Sequence, residues 1–152
     1  MESKSQANIL FIENNHDLGG SWKKVVELLF PITVDAVISV REAKEAIANS
    51  KYSMIFIHLP NPEVRSKLMV EHIRTLEEHF KLEPVPTYIF VSCYIEDDAV
   101  SRLNQLCSGV LLGDNMIYDA GICLKRDLGI EPKSKDLLEV IKQKMDEQES
   151  NK

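Results

Sequence analysis

The stretch YSMIFIHLP, residues 52–60, decides how this chain folds. Its centre, MIFI at 54–57, is a short unbroken apolar run of β-branched, aromatic and flexible side chains that leads straight into His58 and Pro60. An apolar run of that length, without polar alternation, reads as a strand covered on both faces. ILFI at 9–12 and YIFV at 88–91 have the same character, and TVDAVI at 33–38 is a further short run rich in β-branched residues. Strands of this kind need helices above and below them.

Helical periodicity fills the gaps. Leu18, Trp22, Val25, Val26 and Leu29 form one stripe, and Val40, Ala43, Ala46 and Ile47 a second, each at spacings of three or four. Ser39 and Glu42 open the second in S-x-x-E spacing, which satisfies two otherwise orphan amide donors. A third helix is predicted after Pro62, burying Met69, Ile73, Leu76 and Phe80 and ending before Pro84 and Pro86. A fourth covers residues 97–107 through Val100, Leu103 and Leu106, with Glu96, Asp97 and Asp98 where negative charge meets the positive end of the helix dipole. The last helix uses Leu137, Leu138, Ile141 and Met145 before the polar tail DEQESNK. Repeated βα alternation with right-handed crossovers gives an α/β, flavodoxin-like (βα)5 three-layer sandwich around a central parallel five-stranded sheet. The expected domain spans residues 7–148, with residues 1–6 and 149–152 as flexible tails.

Composition narrows the function classes. The 152 residues suit one domain, large enough to fold without disulfides or metals, and a net charge of −6 argues against a nucleic-acid footprint. Cys93, Cys107 and Cys123 are odd in number and lack C-x-x-C spacing, so a reducing cytoplasm is the expected setting. No apolar run reaches the ~18 residues of a membrane span.

In open parallel sheets, ligands and chemistry gather beyond the carboxyl ends of the strands. That rule selects Glu13, Asn14 and Asn15 after the first strand, His58 after the third, and Ser92 and Cys93 after the fourth. The fifth strand is either Gly109–Leu112 or residues 120–124. We prefer the second, which makes GDNMIYD an added loop and brings Lys125 to the sheet end.

At these positions the chain resembles the receiver domain of two-component response regulators. In that family two acidic residues after the first strand hold magnesium and an aspartate after the third takes the phosphoryl group. A Ser or Thr after the fourth strand and a Lys after the fifth contact the phosphate. The resemblance maps this pocket onto Glu13, Asn14, His58, Ser92 and Lys125, in the segments FIENN, YSMIFIHLP, YIFVSC and GICLKR. SVREAKEAI and Pro60 add to the likeness.

The departures from the family pattern set the functional expectation. Magnesium wants several hard oxygen ligands, and Glu13 beside Asn14 and an imidazole supplies few. An aspartyl phosphate cannot form on His58. The family's aromatic switch position falls on Ile122, and no proline follows Lys125. The expected protein is therefore a pseudo-receiver without enzymatic activity, cofactor or metal, in which Lys125 pairs with Glu13. It would bind a protein partner in signal transduction, with neither nucleic acid nor membrane as partner. The family's partner face, formed by the fourth helix, fifth strand and fifth helix, would present Arg102, Gln105, Lys135 and Glu139, and homodimerisation through it is an option.

Other readings compete with this one. Glu13, His16, Asp17 and His58 together could hold zinc, although NNHDLGG is not a recognised ligand pattern. Asn14, His16 and Gly19 give N-x-H-x-x-G, similar to the D-x-H-x-x-G of cobalamin-binding domains, with Ser92 and Cys93 where that family needs glycines. Gly19 and Gly20 lack the rest of a phosphate-loop motif, and Cys93 lacks an evident activating base.

Overall fold

The computed structural model describes residues 6–113, 115–136, 139, 142 and 143. Five strands, β1 (Ala7–Glu13), β2 (Ile32–Val37), β3 (Met54–His58), β4 (Thr87–Val91) and β5 (Gly109–Leu112), alternate with α1 (His16–Leu29), α2 (Val40–Asn49), α3 (Arg65–His79), α4 (Asp97–Leu106) and α5 (Met116–Leu128). The strands form one parallel sheet in the order β2-β1-β3-β4-β5. This is the expected flavodoxin-like sandwich. Among the described residues no helix is long and apolar enough to cross a membrane.

Strand side chains alternate between the two faces, so each strand contributes to two cores. On one face Ile9, Phe11, Phe56, Tyr88 and Phe90 pack with Trp22, Val26 and Leu29 of α1 and Ala120, Cys123 and Leu124 of α5. Aromatic rings dominate this layer: Phe11 lies 4.3 Å from Trp22 and Phe56 5.2 Å from Phe90, centroid to centroid. On the other face Leu10, Ile12, Ile55, Ile57, Ile89 and Val91 meet Ala43, Ile47, Met69, Ile73 and Leu103 of α2, α3 and α4. Continuous apolar runs were thus the correct signature of strands buried on both sides.

Local signals fix the helix ends. The Ser39 hydroxyl accepts from the Glu42 amide at 3.1 Å, as the S-x-x-E spacing predicts. Such a cap is worth about 1 kcal/mol. The Asn15 side chain caps α1 by accepting from Leu18 N at 3.0 Å. Asp97 and Asp98 stand in the first turn of α4, where the helix dipole favours them.

The preferred placement of the fifth strand is corrected. Residues 109–112 pair with β4, Tyr88 opposite Gly109 through Val91 opposite Leu112, and residues 120–124 lie inside α5. Helical capping explains the outcome. The Asn115 side chain accepts from Tyr118 N, and Gly129 closes the helix at φ +67°, a left-handed conformation that glycine adopts freely. Ala120, Cys123 and Leu124 then fall on one buried face at helical spacing. Gly121 completes the fit, because a Cβ there would stand 2.7 Å from Cζ of Phe30. Of the last predicted helix, Leu137, Leu138, Ile141 and Met145 lie outside the described residues.

Candidate functional site

The strand order turns back between β1 and β3: β2 follows β1 on one side, whereas β3, β4 and β5 continue on the other. Such a reversal opens a crevice beyond the strand ends. Glu13 and His58, the last residues of β1 and β3, are register partners there. Ser92 is the first residue beyond β4. Strand geometry alone therefore sets a carboxylate, an imidazole and a hydroxyl side by side.

The three groups form a hydrogen-bonded chain. Glu13 is 2% exposed, and its Oε1 lies 2.5 Å from His58 Nδ1. The other carboxylate oxygen, Oε2, accepts the backbone amide of Asn15 at 3.2 Å, at the turn that starts α1. On the far side of the ring, His58 Nε2 lies 2.8 Å from Ser92 Oγ. A carboxylate facing Nδ1 selects a ring that carries a proton there, because an ionised carboxylate can only accept. In the neutral ring that carries its proton on Nδ1, the Nε2 lone pair accepts from the Ser92 hydroxyl. Glu13 and half-buried His58 are satisfied inside the protein, whereas Ser92 is exposed.

Two further expected members of the pocket stand elsewhere or apart. Asn14 is exposed and lines a separate apolar cavity with Ile38, Val40, Leu59 and Leu68. Lys125 is a correction: it lies in the last turn of α5 and pairs with Glu131 at 3.5 Å on the surface. The predicted Glu13–Lys125 pair is therefore absent, and His58 takes the position opposite the carboxylate. Ile122 also belongs to α5, on its exposed side, and not to a strand. The residue that follows β5 is Gly113, which brings no cation to the edge.

The alternative ligand sets fare unequally. His16 opens α1 with its side chain 87% exposed, 3.6 Å from Asp17, while Glu13 and His58 are engaged with each other. Among the described residues no group of three or more His, Cys, Asp and Glu is gathered closely enough to hold a metal ion. The zinc set drawn from Glu13, His16, Asp17 and His58 is therefore not assembled. Cys93 is an exposed free thiol beside Ser92.

The expected partner-face residues are all exposed. Arg102 on α4 reaches Glu63 at 3.4 Å, and Gln105 lies one turn further along the same helix. With α5 now at Met116–Leu128, Lys135 and Glu139 fall in the segment beyond it.

Sequence reasoning missed the Glu13–His58 partnership. The signal was available, since two neighbouring parallel strands that both end in a polar residue bring those residues together. It also missed the role of Ser92 as the third member.

No family model matches the chain, and no curated protein matches it. Solved structures do. A CheY-like response regulator receiver domain from Methylobacillus flagellatus superposes with a TM-score of 0.65 at 19% identity, over 80% of this chain and 98% of that one. A two-component response regulator from Clostridium difficile gives 0.65 at 21% identity, over 81% of this chain and 96% of that one. A chain from the crystal structure of histidine kinase ThkA in complex with response regulator protein TrrA gives 0.61 at 13% identity, covering 81% and 99%. At such identities the likeness is one of architecture: the chain has the flavodoxin-like fold of response regulator receiver domains.

Proposed function

We propose that this protein is a pseudo-receiver, a signalling module that works by protein–protein interaction and is not switched by aspartyl phosphorylation. The observation that carries this reading is the placement of His58 at the end of β3, locked between Glu13 and Ser92. The position offers no carboxylate to phosphorylate. Glu13, the remaining acid, spends both oxygens on His58 and the Asn15 amide, which leaves a poor environment for an octahedral cation. Gly113 follows β5 where a phosphate-contacting lysine would be needed.

The binding role is supported by the elements α4, β5 and α5. They present Arg102 and Gln105 together with the exposed apolar side chains Leu106, Leu112 and Ile122, and Lys135 and Glu139 lie just beyond. A mixture of apolar and polar groups suits a transient protein partner, and β5 is an edge strand open to a second copy. One of the similar folds was solved in a histidine kinase complex, which favours a partner from such a pathway.

Thermal melting with magnesium and beryllofluoride tests the loss of phosphorylation. A ligand of the folded state at 100 times its dissociation constant stabilises by about 2.7 kcal/mol. The expected result is an unchanged melting temperature; a clear upward shift overturns the proposal.

A further inference from the structure

We propose that Ser92 is a nucleophile activated by His58 and Glu13, able to take an acyl group from an activated ester whose acyl part is small and apolar. The inference stands on the site geometry and is independent of the pseudo-receiver reading. The arrangement is carboxylate to Nδ1, Nε2 to hydroxyl, at 2.5 and 2.8 Å, with the carboxylate buried and the hydroxyl exposed. These are the contacts that let an imidazole accept a serine proton and hold the resulting charge. The constellation is defined by geometry and roles, whatever the fold or chain order that supplies it.

The surroundings fit the chemistry. A cavity of about 280 Å³ adjoins Ser92, lined by Val91, Ile95, Leu112 and Gly113 with Cys93 and Tyr94 at its side. Its apolar walls suit a short hydrocarbon acyl group. The amide that follows the serine, at Cys93, is the kind of donor an acyl-transfer site uses to hold a developing oxyanion.

The step balances within these groups. Ser92 Oγ bonds to the carbonyl carbon as its proton passes to His58 Nε2, and the carbonyl π pair moves to oxygen. Collapse of that oxyanion breaks the bond to the leaving oxygen, which takes the proton from Nε2 and departs as an alcohol. Acyl-Ser92 remains, and water attacking by the same route releases the acid. Glu13 is a positioning residue, acting through the orientation of His58.

The test is labelling of the full chain with a fluorophosphonate, which forms an Oγ–P bond and expels fluoride, followed by peptide mass mapping. Label on Ser92 is expected, and it should be absent in Ser92→Ala, a change at an exposed residue whose circular dichroism should match the wild type. His58→Gln should slow labelling at least about 100-fold, the usual contribution of a general base. Glu13→Gln should slow it as well, but should add nothing in the His58→Gln background, as expected of groups acting as one unit. A wild-type chain that takes no label, label on another residue, or an unchanged rate in folded His58→Gln would overturn the proposal. If only His58→Gln fails to fold, the wild-type, Ser92→Ala and Glu13→Gln results still decide it.

Discussion

Two buried carboxylates lie at opposite edges of the sheet, and their surroundings differ in one respect. Glu77, 4% exposed, sits near the amino end of β4 and receives Arg74 Nη1 at 2.6 Å and the Val85 amide at 2.7 Å. Arg74 goes on to the Val85 carbonyl and the Thr87 hydroxyl, both at 3.2 Å, and Thr87 Oγ1 returns to Val85 O at 2.8 Å. That network ties α3 to the link before β4. Glu13, at the carboxyl edge, instead hands its interaction through His58 to an exposed hydroxyl. The first network returns its bonds to the backbone of one link, whereas the second ends at an exposed hydroxyl that can also react or recognise.

The comparison breaks if stability and reactivity do not separate between the two edges. Glu77→Ala should have the largest effect, because it leaves Arg74 and the Val85 amide without their acceptor. With Arg74 one-third exposed, losing this acceptor costs about 2 to 3 kcal/mol, mostly from the unsatisfied Val85 amide and the weakened charge-assisted bond. Chemical denaturation should show this loss while fluorophosphonate labelling of Ser92 proceeds at the wild-type rate. Glu13→Gln should cost less, about 1 to 2 kcal/mol for weakened buried hydrogen bonds, yet it should suppress labelling. Equal labelling in both variants would erase the distinction.

A third network sharpens it through pH. Tyr88 is buried, bonded to Asp127 and receiving Arg126 Nη2 at 2.8 Å. Burial, and then the hydrogen bond to Asp127, push the phenol up from 10.0 to about 12. A raised folded-state value means that the neutral phenol is favoured in the fold. Its stabilisation is complete below pH 10.0 and is lost as pH rises towards about 12. Tyr88→Phe should flatten that part of the alkaline stability profile and leave Ser92 labelling untouched. The smallest effect belongs to Lys125→Met: its ion pair with Glu131 joins groups 64% and 52% exposed. Denaturation midpoints should change by no more than about 0.5 kcal/mol.

The layering of the molecule was legible because the apolar runs at 9–12, 54–57 and 88–91 lack alternation, as strands buried on two faces do. The second helix was equally plain, from Ser39 and Glu42. The carboxyl-edge rule also selected Glu13, His58 and Ser92, which the fold brings into contact. What misled was GICLKR, whose apolar residues read as a strand when taken alone. Asn115 and Gly129, at the two ends of residues 116–128, carried the opposing helical signal. Lys125 was assigned to the sheet end through that error, and the partner of Glu13 was misjudged with it. Pairing between strands is a tertiary fact, so the bond from Glu13 to His58 follows only once β1 and β3 are known to be neighbours.

The proposed absence of phosphorylation rests on several positions: His58 at the end of β3, Glu13 engaged with it, and Gly113 after β5. On that proposal, an aspartate placed at one of them should not by itself support phosphoryl transfer. The most direct measurement is phosphoryl uptake from labelled acetyl phosphate, with magnesium, by the wild-type chain and by His58→Asp. The expected result is no acid-stable, hydroxylamine-sensitive label on either protein. Stoichiometric labelling of His58→Asp would contradict the account, because it would show that the rest of the pocket still supports aspartyl phosphorylation.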